Sequence, residues 1–122
     1  MPSVQASVAE LAALLRSHKL PFGNEAALQS AVAELLNAHG ITFAREHRLD
    51  AANRLDFLVG GVAIECKVDG SQSAVLRQLR RYAGHSEVTS LLLVTSRHTH
   101  RRWDTAVIND KPFAVVWVAG TL

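Results

Sequence analysis

The sequence predicts an α/β domain, a mixed central β-sheet flanked by helices with the element order ααβββαβ(α)β. Three observations carry that expectation. Two leading segments repeat apolar residues at helical spacing, and a glycine pair, Gly60-Gly61, separates two runs rich in branched and aromatic residues. The third is Leu91-Leu92-Leu93-Val94-Thr95, a continuous apolar run of strand length.

Over about residues 4–18, Val4, Val8, Leu11, Leu14 and Leu15 recur at helical spacing with alanine between them, which predicts a first helix. Pro21, Gly23 and Asn24 break it, and Asn24 is a good N-cap for a second helix over about 25–38. The apolar stripe of that helix is Leu28, Ala31, Val32, Leu35 and Leu36, and Gly40 closes it. Ile41 to Leu49 reads as a first strand. A hairpin follows, with strands over about 54–59 and 62–68, because Gly60-Gly61 can supply the positive φ angles of a tight two-residue turn. A helix over about 73–84 ends at Gly84. The run Leu91–Thr95 lacks alternation and is expected to be buried on both faces, hence central or parallel. A further helix is expected near 98–108, and Phe113 to Val118 makes the last strand.

At 122 residues with 48% hydrophobic content the chain fits one domain and can bury a core without disulfides or structural metal. Within it, 1–20 forms the N-terminal helix, 24–95 the core and 96–122 a basic loop and final strand. Cys66 is the single cysteine, so no intramolecular disulfide forms and a reducing compartment is compatible. No signal peptide and no apolar run near the ~20 residues of a membrane span is present, so a cytoplasmic protein with no membrane partner is expected.

The chemistry concentrates in Leu55 to Lys67. On the second strand of the hairpin, Val62, Ile64, Cys66 and Val68 point one way while Ala63, Glu65 and Lys67 point the other. If the glycine pair is the turn, Asp56 sits across from Glu65. Two acids and a cation then converge in an apolar setting, where crowded carboxylates raise one another's pKa. A divalent cation resolves that conflict, and oxygen ligands with open positions suit magnesium or manganese rather than zinc. The bland alternative is a solvated Glu-x-Lys face with a weak ion pair.

On Asp56, Glu65 and Lys67, together with Glu25 opening the second helix and Gln78 and Tyr82 on the third, the chain resembles the PD-(D/E)XK nuclease superfamily. The resemblance spans about residues 24–95, and Leu55 replaces the proline that gives the motif its name. It implies a restriction-endonuclease-like core and a Mg²⁺-dependent nuclease, with Mn²⁺ as substitute, hydrolysing phosphodiester bonds of nucleic acid, DNA in the first instance. Asp56 and Glu65 would hold the metal, joined by the backbone carbonyl of Cys66 and by Glu25 directly or through a water, while Lys67 would serve the attacking water. Glu25 is also favoured simply by the helix macrodipole, and Glu34 is its rival for the role. Gln78 and Tyr82 are similar to the Gln-x-x-x-Tyr element of several branches, and they would hold the phosphate backbone or buttress Lys67.

The formal charge is only +2, yet the second half of the chain is the basic one, and arginine outnumbers lysine. Guanidinium forks suit phosphate, so Arg54, Arg77, Arg81, Arg97 and Arg101 are candidate nucleic-acid contacts. By their position before the acidic site, Arg45, His47 and Arg48 are expected to line the same cleft. His98 and His100 lie in an arginine run without a nearby acid or cysteine and are read as part of a basic loop, not a metal site. Trp103 in that loop either stacks on a base or packs on the core. A homodimer, with the first helix as contact, would let two sites address two strands. The alternative function is a non-cleaving nucleic-acid or protein-binding module on the same scaffold.

Overall fold

The computed structural model describes residues 6–97, 100 and 107–118. Its elements are α1 (Val8–Arg16), α2 (Glu25–Ala38), β1 (Ala44–Arg48), β2 (Arg54–Val59), β3 (Val62–Lys67), α3 (Gln72–Ala83), β4 (Ser90–Thr95), β5 (Val107–Ile108) and β6 (Lys111–Trp117). The strands form one six-stranded mixed sheet in the order β1-β2-β3-β4-β6-β5. Strands β1, β2 and β3 are antiparallel neighbours, β4 is parallel to both β3 and β6, and β5 closes the edge antiparallel to β6. The expected α/β architecture with a mixed sheet is present.

The local chemistry explains the boundaries. Ser7 accepts from the Glu10 amide while the Glu10 carboxylate accepts from the Ser7 amide, a capping box that starts α1. Asn24 Oδ1 accepts from the Ala27 amide at 2.8 Å and starts α2, and Gly40, at φ 67°, ends it. In the β2–β3 turn Gly60 alone takes a positive φ, 58°. Gly61 serves packing instead: any Cβ there would collide with the side chain of Thr89, whose amide donates to the Gly61 carbonyl at 2.8 Å.

Each face of the sheet is covered. Leu11 and Leu15 of α1 and Leu28, Val32 and Leu36 of α2 pack on Phe57, Ile64, Cys66, Leu92 and Val94. On the other face Val75, Leu79 and Tyr82 of α3 pack on Ala63, Leu91 and Leu93. Strand β4 is therefore buried along its whole length, as a parallel strand between two helical layers must be. The apolar face of α1 belongs to this core, and Arg16 ties the helix to the Val115 carbonyl at 2.8 Å, so that face is not available to a partner.

Several boundaries differ from expectation. Residue Val4 lies outside the described residues, and α1 begins at Val8. Of the helix expected near 98–108, residues 98–99 and 101–106 lie outside the described residues, while Val107 and Ile108 form strand β5. The turn after β5 is Asn109-Asp110, with φ 49° and 64°. Two consecutive positive φ angles are the signature of a type I′ hairpin turn, and asparagine and aspartate are the residues besides glycine that tolerate them. Among the described residues no helix is long and apolar enough to cross a membrane.

Candidate active site

The hairpin register is Val59↔Val62, Leu58↔Ala63 and Phe57↔Ile64, and continuing it sets Asp56 opposite Glu65. There the backbone ladder gives way to side chains. The Cys66 amide donates to Asp56 Oδ2 at 2.8 Å, and the Asp56 amide donates to Glu65 Oε1 at 2.8 Å. Each carboxylate thus stands where a strand carbonyl would, and the two strands part around the pair. The Gly61 and Lys67 carbonyls accept from the β4 side. By strand alternation the carbonyl of Cys66 then faces β2, into the same opening.

A backbone irregularity accompanies the parting of the strands. Strand β1 pairs with β2 through Arg45↔Phe57 and His47↔Leu55, but Glu46, between them, sits at φ 53°, a conformation uncommon for residues other than glycine. At the same level β2 changes face. Phe57 and Val59 belong to the core under α1 and α2, whereas Leu55, two residues before Phe57, packs with α3. Asp56 lies at that change of face, and this is why its side chain turns into the sheet plane instead of onto either layer.

Glu65 is 2% exposed, and Lys67 brings its Nζ to 3.9 Å from Glu65 Oε2. Burial, then the neighbouring Asp56 charge, pushes the Glu65 carboxyl up to about 8. Asp56 is raised as well, by burial first; the Cys66 amide, Lys67 and Arg54 oppose that rise, and Glu25 adds to it. Glu25 arrives from the N-terminus of α2, with Oε1 at 3.4 Å from the Val68 amide. Glu34 is exposed near the other end of α2, beside His18 and Lys19. Glu25 is thus the helix acid that reaches this end of the sheet.

Oxygen donors dominate the cluster. The Cys66 thiol lies in the core beneath α1 and α2, pushed well up by burial and by the surrounding carboxylates, and it is not presented to the opening. Among the described residues no group of three or more His, Cys, Asp or Glu side chains forms a metal-holding cluster. Two carboxylates and a carbonyl, completed by waters and substrate oxygens, are the kind of donor set that suits magnesium.

Tyr82 is 2% exposed; its hydroxyl donates to the Arg54 carbonyl at 3.0 Å and accepts from Gln78 Nε2 at 2.6 Å. The phenol packs in the core with Leu55, Ala63 and Leu79. Burial and the Glu65 charge raise its pKa further above the usual phenol range. Arg81 is exposed but engages Asn53 Oδ1 through Nε at 3.1 Å. Arg54 and Arg77 are exposed, Arg97 is half-buried just past β4, and Arg101 lies outside the described residues, as do His98, Arg102 and Trp103.

Arg45 stacks 5.6 Å from the Phe57 ring centroid on the α2 side, and Arg48 donates to the Ala51 carbonyl at 3.1 Å. His100 is buried, with Nδ1 2.9 Å from Thr95 Oγ1, and burial lowers its pKa.

Residues with no place in the sequence argument also shape the site. Asp50 Oδ1 accepts from the Ala52 and Asn53 amides, both at 2.8 Å, forming the β1–β2 turn, and buried Asn53 links that turn to Arg81. An aspartate two and three residues before such amides is a recognisable turn signal; the link to Arg81 is not. The chain matches no protein-family model, no curated protein and no solved structure.

Proposed function

We propose that this chain is a Mg²⁺-dependent nuclease of the PD-(D/E)XK type that hydrolyses phosphodiester bonds, with DNA as substrate. The observation that carries the proposal is the replacement of ladder hydrogen bonds by the Asp56 and Glu65 carboxylates at the parted end of β2 and β3, with Lys67 beside them. A surface ion pair would not require an acid 2% exposed, nor a backbone that changes face to admit a second.

Asp56, Glu65 and the Cys66 carbonyl are the groups that would hold the metal, with Glu25 at the rim. When bound, such an ion polarises a phosphoryl oxygen and makes a water nucleophilic near neutral pH. The chain's own residues do the remainder. The Cys66 and Asp56 amides fix one oxygen of each carboxylate and so aim the other. Lys67 sets an ammonium next to Glu65, where it orients the attacking water and offsets negative charge developing at phosphorus. Exposed Arg54 and Arg77 supply charge that a phosphate backbone would meet.

The test is a panel of labelled single-stranded, duplex, flapped and branched DNA and RNA, incubated with purified protein and with Mg²⁺, Mn²⁺ or chelator. Cleavage of a DNA form that chelator abolishes is the expected result. Binding without cleavage on every substrate would move the assignment to a non-cleaving module.

A further inference from the structure

Helix α3 covers the face of the sheet to which Lys67 points. Ala63 of β3 packs with Val75 and Leu79 of α3, and strand alternation puts Glu65 and Lys67 on the same side as Ala63. Ser71, shortly after β3 ends, caps the helix by accepting from the Ala74 amide at 3.2 Å. The first turn of α3 therefore starts beside the acidic site.

The outward side of this helix is basic. Ser73, Ala74, Arg77, Arg80 and Arg81 are exposed, Val75, Leu79, Tyr82 and Ala83 are buried, and α3 carries no acid at all. The nearest carboxylates lie beyond its C-terminal end or are turned to other partners. Asp50 Oδ2 lies 2.8 Å from His85 Nε2, and Glu87 Oε1 lies 2.8 Å from His47 Nε2. Asp110 stands in the hairpin turn whose Asn109 donates to the Arg80 carbonyl at 3.3 Å. Among the described residues no carboxylate pairs with Arg77, Arg80 or Arg81. The strip also reaches the site: Arg81 Nε donates to Asn53 Oδ1 at 3.1 Å, and Tyr82 donates at 3.0 Å to the carbonyl of exposed Arg54, two residues before Asp56.

What the strip presents is charge, because the one aromatic ring of α3, Tyr82, is turned into the core. Single-stranded nucleic acid is held largely by exposed rings that stack on unpaired bases, whereas guanidiniums meet phosphate. Phosphate density then favours the double helix. Each neutralised phosphate contributes a salt slope of about 0.9 on duplex DNA and about 0.7 on a single strand. An exposed helix also suits B-form DNA, whose major groove admits an α-helix, over A-form RNA, whose major groove is too deep and narrow.

We propose that the outward face of α3, through Arg77, Arg80 and Arg81, is the surface on which this chain holds the phosphate backbone of duplex DNA, setting one strand over the acidic site. The inference deepens the nuclease proposal by naming the form of its substrate, and it rests on that proposal for its catalytic meaning.

Binding is measured apart from cleavage, by fluorescence anisotropy in chelator from about 50 to about 200 mM KCl. The probes are a labelled DNA duplex, one of its strands alone, and an RNA duplex of the same sequence. The native chain should bind the DNA duplex most tightly of the three. Arg77→Gln with Arg80→Gln removes two phosphate contacts, so the affinity lost across that salt range should shrink about tenfold, two contacts at about 0.9 each over a fourfold change. Arg77→Lys with Arg80→Lys keeps both charges and should keep the native salt dependence, which separates lost charge from a disturbed helix.

A native salt dependence in the glutamine variant overturns the proposal, as does a weakened one in the lysine variant. Binding of the single strand or the RNA duplex as tight as that of the DNA duplex overturns it too. If the arginines govern duplex binding while no substrate is cleaved, the surface stands and the nuclease proposal falls by itself. If DNA is cleaved while the glutamine variant binds duplex as the native chain does, the surface falls and the nuclease proposal stands.

Discussion

Replacing Glu65 with glutamine should make the metal-free protein more stable at alkaline pH and flatten its stability–pH profile. The carboxyl is 2% exposed and pushed from 4.5 to about 8, by burial and then by the charge of Asp56. The folded chain therefore retains a proton that the unfolded chain has released between those two pH values, so stability falls as pH rises through that window. The interval from 4.5 to about 8, at ~1.4 kcal/mol per pH unit, gives an upper value of about 5 kcal/mol. Asp56 titrates together with Glu65, so the measured loss is expected at a few kcal/mol.

Glutamine retains an oxygen for the Asp56 amide and cannot ionise. Urea denaturation of both proteins in chelator, at unit steps from pH 5 to 9, measures the difference. The native chain should lose stability as pH rises to about 8 and level off above it, and Glu65→Gln should lose much less and be the more stable of the two at pH 8. Added Mg²⁺ should restore the native chain at pH 8 and leave the variant unchanged. Parallel profiles, or a variant less stable than the native chain at pH 8, would refute the claim that burial raises this carboxyl.

Tyr82→Phe removes the donor to the Arg54 carbonyl at the start of β2 and should cost about 1–2 kcal/mol in denaturant, with m unchanged. Gly61→Ala drives a methyl into Thr89 and should cost about 1–3 kcal/mol, most of it recovered in a Thr89→Ala background; a cost that persists there would implicate the turn backbone instead. Cys66 is buried with its thiol pushed up, so labelling by a disulfide reagent at pH 8 should wait on unfolding and accelerate in step with urea; immediate labelling of the native chain would contradict its placement.

The parts of this molecule legible in its sequence are those decided locally. A two-residue Gly-Gly turn fixes the pairing of everything behind it, and the observed Val59↔Val62 register follows from that turn. Asn24 and Gly40 delimit α2 because capping is a matter of a few neighbouring amides. The apolar run of β4 implied burial on both faces because Leu91 to Val94 leave neither face polar.

What stayed hidden depends on residues far apart in the chain. Strand β5 has only Val107 and Ile108, too short to show alternation, although the Asn109-Asp110 turn was a usable signal. The positive φ at Glu46 and the change of face at Asp56 come from packing Leu55 and the β1–β2 turn against α3. Tyr82 shares a helix face with Gln78 as expected, but only tertiary contact reveals that this face meets the Arg54 carbonyl. His47 and Glu87 are forty residues apart, beyond any helical or strand periodicity.

The central claim is that Glu65 and Lys67 act together on a phosphodiester. Single-turnover cleavage of the preferred DNA form by the native chain, Glu65→Gln and Lys67→Ala, at saturating Mg²⁺ and with folding verified by circular dichroism, tests it most directly. Each variant should retain DNA binding and lose at least about a hundredfold in cleavage rate, the scale of a lost general-acid–base or charge-stabilising group. Cleavage by either purified variant at the native rate would contradict it.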